Sequence, residues 1–184
     1  MRNREHPIKG FASNGLPLFG VHVLPGTIAA ATYDQFPLSG EGHTYHDLSP
    51  GNAGAQYRTG DVDIGSGRDG RPVLTNLEPT EWLTYTLHVP KPGAYRIEAR
   101  YSATAADGAL RFAFGAAAAT EAIALPSTEG TSVTHTLASG AVLRVGVQAC
   151  GFSWPEHRGR LSSSPSACRR SKERRVGRCR LTSG

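Results

Sequence analysis

Between residues 43 and 58 the chain gathers side chains that suit hydroxyl recognition: Tyr45, His46, Asp47, Asn52, Tyr57 and Arg58. Each is polar or amphipathic, and together they offer both donors and acceptors. A second reading assigns the same residues to the loop itself. Asp47 and Asn52 suit Asx-type bonds to the backbone, and Tyr57 suits a core position. Catalysis has little support. His46 and Asp47 are sequence neighbours, so an extended segment points them to opposite faces. Glu81 and Asp63 could form a carboxylate pair of the kind that cleaves glycosidic bonds, yet no Ser or Cys sits in a recognisable nucleophile turn. The three cysteines, Cys150, Cys168 and Cys179, have neither a paired framework nor metal-ligand spacing. Cys150, beside Gly151 and Phe152, reads as a small buried residue.

The elements that must position these groups are strands. Residues 81–103 read as two paired antiparallel strands joined by a turn at Pro90-Lys91-Pro92-Gly93. Apolar residues alternate at Trp82 and, after a one-residue slip, at Tyr85, Leu87 and Val89; they resume at Tyr95, Ile97, Ala99 and Tyr101. Period-two alternation buries one face of a strand, while Pro and Gly end the pairing. Further short strands fit Val21–Val23 with Thr27–Tyr33, Val62–Ile64, Val73–Leu77, Ala109–Phe114, Ala122–Leu125, Val133–Leu137 and Ala141–Gln148, with a long loop from Phe36 to about Gln56. That cadence predicts an all-β chain, a β-sandwich of two antiparallel sheets. With 22 Gly and 12 Pro among 184 residues, the composition suits turns rather than a helix bundle.

Charge divides the chain. Residues 156–184 hold eight Arg and one Lys against two Glu, a net of +7, while the other 155 residues carry 11 basic and 13 acidic side chains, a net of −2. From Trp154 onward alternation stops and Arg and Ser dominate, which predicts a disordered basic tail over 154–184. Such a tail could bind nucleic acid through its charge; a merely solvated tail is the alternative. Residues 1–19 read as a linker-like lead-in without the apolar core of a secretory signal. No apolar run approaches the roughly 18 residues that a membrane span needs.

The wording of several segments goes further. Glu81-Trp82-Leu83 to Pro90, Pro92-Gly93 to Tyr101, PGTIAAATYD (25–34), GEGHTYHDLSPGNAGAQYRTGDVDI (40–64) and LPSTEG (125–130) occur in one order. Together they resemble the family 6 carbohydrate-binding modules over residues 20–153. The resemblance implies a galactose-binding-like jelly roll without catalytic activity, appended to a secreted glycoside hydrolase. It implies an extracellular monomer that grips a plant or microbial polysaccharide such as β-glucan or xylan. A vestigial sandwich without ligand is the alternative.

For the site, the resemblance implies a main cleft at the loop end, where the family's two aromatics and one Asn fall here on Asn76, Thr131 and Ser153. All three depart from the pattern, so stacking is lost there. His46 is the best contact candidate in the loop. A second cleft of some relatives, on a sheet face, matches Trp82 and Thr84; Trp82 is open to either a stacking or a core role, and Tyr101 shares that ambiguity. The family's structural calcium is in doubt, because Ala31 stands where a Glu ligand belongs and the closing strand is missing.

Overall fold

The structure is a computed structural model that describes residues 20–35, 40–106, 108–115, 119–155 and 174–183. The lead-in expected over 1–19 and the first part of the expected tail, 156–173, lie outside these residues. Two six-stranded sheets face each other. The first runs β1 (His22–Val23), β6 (Trp82–Val89), β11 (Gly146–Ser153), β8 (Gly108–Phe114), β9 (Ile123–Leu125), with β3 (Tyr45–His46) also on β6. The second runs β10 (Val133–Leu143), β7 (Gly93–Ala103), β12 (Arg174–Ser183), β5 (Pro72–Leu74), β4 (Ile64–Ser66), with β2 (Gly26–Ala29) on β12. Pairing is antiparallel except between β1 and β6. The sandwich read from alternation is the fold observed, an all-β jelly roll.

The core lies between the sheets. Leu83, Tyr85, Leu87 and Val89 enter from β6, and Tyr95, Ile97, Ala99 and Tyr101 from β7. Phe152 of β11 packs 4.5 Å from Tyr85 and edge-on to Phe112 of β8 at 4.8 Å. The hydroxyls carried inward find acceptors: Tyr85 donates to the Ala30 carbonyl at 2.6 Å and Tyr101 to the Pro126 carbonyl at 3.2 Å. Tyr101 is therefore core. Cys150 is buried as expected, and burial holds its thiol well above the usual range.

Four expectations need correction. First, β6 and β7 do not pair with each other. β6 bonds to β1, β3 and β11, and β7 to β10 and β12, so the Pro90–Gly93 turn carries the chain from one sheet to the other. Their two apolar faces meet across the core instead of side by side. Second, the inward phase of β6 starts at Leu83; Trp82 faces outward with Thr84 and no slip is needed. Third, 133–143 is one strand whose register shifts near Leu137 and Ser139-Gly140 break the alternation, and the next strand starts at Gly146. Fourth, residues 174–183 are not a disordered tail. They form β12, paired along Arg174–Ser183 with β7 and along Arg178–Leu181 with β2.

β12 enters the core with Val176, Cys179 and Leu181, all buried. Their spacing is irregular because Gly177 is an extra residue: Val176 lies opposite Tyr101 and Arg178 opposite Arg100, leaving Gly177 unpaired. Such a bulge reverses the phase of the strand after it. Arg175 before the bulge is exposed, and Arg178 and Arg180 after it are half-buried and exposed. The Cys179 thiol is pushed up to about 12 by burial, which makes it an inert core group.

Candidate carbohydrate-binding site

The first sheet carries a flat outward platform. Opposite residues on neighbouring strands line up as His46 on β3, Trp82 on β6, Ser153 on β11 and Arg111 on β8. The next outward row along these strands is Thr84, Gly151 and Ala113, and the one after pairs Thr86 with Ala149. Trp82 is half-buried and absent from the core cluster, so part of its side chain is open to solvent. Beside it Gly151, Ala113 and Ala149 form a floor of small side chains. A Cβ built on Gly151 would meet only the Ala113 Cβ, at 3.8 Å. An aromatic wall above a low floor suits the apolar face of a sugar ring.

Polar groups border this platform. His46 Nδ1 lies 2.5 Å from Glu41 Oε1, and that bond, more than any other influence, holds the imidazole pKa above its usual value. Glu41 Oε2 accepts the Asp47 backbone N–H at 3.0 Å, fixing the β3 segment beside Trp82. Ser153 and Arg111 add a hydroxyl and a guanidinium on the opposite side. Behind them Glu81 is buried and accepts backbone N–H groups of Leu48 and Glu78 at 3.2 and 2.8 Å. Burial pushes its carboxyl up to about 7. Asp34, also buried, accepts from the Thr86 hydroxyl and N–H, and burial pushes it up to about 6.

The loop residues separate into different tasks. Tyr45 is buried against Tyr33 and donates to Asp61 Oδ2 at 3.0 Å, so it belongs to the core rather than the surface. Asp47 accepts from the N–H and hydroxyl of Ser49. Asn52 ties its loop together: Oδ1 accepts from Gly54, Ala55 and Ile64, and Nδ2 donates to Gln56 and Arg58 carbonyls. Arg58 donates to the Tyr33 carbonyl at 2.6 Å and lies 4.2 Å over the Tyr33 ring. Tyr57 is 59% exposed, not core, at a positive φ of 65°. Asn76 donates to Asp63 Oδ2 at 2.9 Å, and Asp63 also accepts the Ala53 N–H. Of the sequence candidates, His46, Trp82 and Thr84 share the platform, together with Ser153, the position that the resemblance gives to an Asn. Arg111 and the small floor were missed, because only cross-strand register puts them beside Trp82.

Asn76, Thr131 and Ser153 do not form one cleft. Asn76 and Thr131 line neighbouring recesses that share Arg175, whereas Ser153 lies on the first sheet beside Trp82. The calcium implied by the resemblance fits poorly. Ala31 is buried at the foot of a recess lined also by Thr32, Tyr57, Arg71 and Arg178. Two guanidiniums and no carboxylate are the reverse of a set of oxygen ligands for a dication.

Comparison with known families agrees with this fold. Residues 58–149, half of the chain, match the model of the family described as carbohydrate binding module (family 35). The chain belongs to this family. No curated protein matches it in sequence. Among solved structures, it resembles the module CsCBM6-3 from Clostridium stercorarium in complex with cellobiose, at 14% identity and a TM-score of 0.56, over 90% of this chain and 98% of that one. It resembles equally a β-1,3-glucan binding family 6 module from Bacillus halodurans, at 14% identity and 0.55, over 89% and 100%. The module CBM6cm-2 of Cellvibrio mixtus lichenase 5A, in complex with cellotriose, is 20% identical at 0.52, over 87% and 98%. At these identities the likeness is one of fold, and the fold is the family 6 jelly roll. This carbohydrate-binding module is thus a binding unit, not an enzyme, and its Glu81 and Asp63 carboxylates hold backbone in place.

Proposed function

We propose that the module binds a neutral plant or microbial polysaccharide of the β-glucan or xylan class across the outward face of the first sheet, with Trp82 as stacking platform. The observation that carries this reading is the position of Trp82 on the outward face of β6, in one row with His46, Ser153 and Arg111 and next to the row of Gly151 and Ala113. His46, Thr84 and Ser153 fix hydroxyls, and the Glu41 bond sets the ring orientation of His46. Tyr57 and Asn76 serve the loops and recesses of the second sheet. The fold relatives support the ligand class, since two were solved with cellobiose and cellotriose and a third is described as binding β-1,3-glucan. One of them comes from a lichenase, which supports a role as the extracellular appendage of a secreted glycoside hydrolase. Native gels cast with barley β-glucan, laminarin or xylan test this. Retardation by at least one of them is expected; migration unchanged on all three would leave a sandwich without a neutral ligand.

A further inference from the structure

The outward face of the second sheet has a different chemistry. A groove of about 390 Å³ crosses it, in the size range of small-ligand sites. Its walls carry Arg68, Arg71, Arg100, Arg175 and Arg178 against one carboxylate, Asp69. Two of these cations are forced together by the fold. The bulge at Gly177 turns Arg178 outward, directly opposite Arg100 on β7. Like charges in opposite positions of a ladder destabilise it. Further along the same pair of strands Arg180 lies opposite Glu98, so the clash is confined to the groove. Asp69 relieves it only in part, at 3.9 Å from Arg178 and 4.0 Å from Arg71. Among the described residues Asp69 is the one carboxylate that lines this cluster, and such a gathering of guanidiniums suits an anion.

We infer that this groove is a second binding site, selective for an anionic saccharide whose carboxylate or sulfate groups lie between Arg100, Arg178 and Arg175. Guanidiniums bind either group in a bidentate fork. Ser102, Thr131 and Ser132 supply hydroxyls along the same walls for the sugar itself. Among the described residues no aromatic side chain lines the groove, and aromatic stacking is what single-stranded nucleic acid sites use. The inference stands apart from the neutral-glycan reading, since the two sites lie on opposite sheets and share no residue.

The test titrates the full chain at 50 mM NaCl with polygalacturonate, dextran sulfate, neutral dextran and a single-stranded oligodeoxynucleotide. Binding to one or both anionic glycans and not to neutral dextran is expected, and which of the two binds names the charged group. Arg100→Gln should weaken it about tenfold or more, the loss expected for a hydrogen bond to a charged group. The exposed pair Arg68→Gln/Arg175→Gln should weaken it in a fold left intact, as checked by circular dichroism. Raising NaCl to 500 mM should weaken it further. Oligonucleotide bound as tightly as either glycan would overturn saccharide selectivity. Wild-type affinity in both variants, or no binding to either anionic glycan, would overturn the site.

Discussion

The two outward faces of this sandwich share a scaffold and differ in almost everything a ligand would meet. On the first sheet Trp82 shares the outward face with Gly151, Ala113 and Ala149 and lies in one row with His46 and Ser153. On the second, Arg100 and Arg178 are opposed in a groove with a single Asp69. Inward, both sheets follow one rule, with apolar residues at alternate positions. The lesson is that the core fixes strand phase and leaves every second residue free, so ligand chemistry changes face by face without disturbing the fold.

The largest expected effect concerns the strand that makes the second face possible. A chain ending at residue 173 loses Val176, Cys179 and Leu181 from the core and strips partners from β7, β2 and β5. It should show no cooperative thermal transition. Leu181→Ala in the whole chain should destabilise by about 2–5 kcal/mol in urea unfolding. An unchanged midpoint for either would mean that β12 is not part of the sandwich.

A smaller effect separates the faces. Trp82→Ala should lower β-glucan affinity about 5- to 140-fold, taking about 1–3 kcal/mol for base stacking on an aromatic ring as the guide. Binding of anionic glycan should be unaffected. Gly151→Val should act in the same direction by raising the floor beside Trp82 while suiting a strand. Its melting temperature should stay close to wild type, since the added Cβ meets only the Ala113 Cβ and the residue lies on the outward face.

How much of this was legible follows from particular residues. The core faces of β6 and β7 were readable because Tyr85, Leu87 and Val89, then Tyr95 to Tyr101, keep strict period two. Strand β12 was not, because Gly177 shifts the spacing of Val176 and Cys179 to three. Its Arg content then read as a solvated tail, although Arg175, Arg178 and Arg180 occupy the outward positions of a strand whose other face is buried. Within the site, His46 and Trp82 were singled out separately. Their adjacency comes from pairing between strands 36 positions apart in sequence, which alternation within a strand does not encode.

The last prediction is a pH dependence weighted to the first sheet. Glu81 titrates at about 7 in the folded chain against an ordinary 4.5, and Asp34 at about 6 against 3.8. Between these values the folded chain binds more protons than the unfolded one, so stability falls as pH rises. The loss from Asp34 spans about pH 4 to 6 and that from Glu81 about pH 4.5 to 7. His46, raised by Glu41, contributes in the same sense, its stabilisation fading as pH rises through its folded value. The melting temperature should therefore be higher near pH 5 than at pH 7.5, and Glu81→Gln should flatten the slope. A melting temperature that rises over this interval would contradict the burial assigned to these carboxylates.

The most direct measurement uses the chain's own fluorescence. Only Trp82 and Trp154 emit strongly, and Trp154 is buried in the core. Titration with β-glucan or xylan oligosaccharides should shift the emission saturably in the wild type and not at all in Trp82→Ala. A saturable shift that survives in Trp82→Ala with unchanged affinity would place the sugar elsewhere.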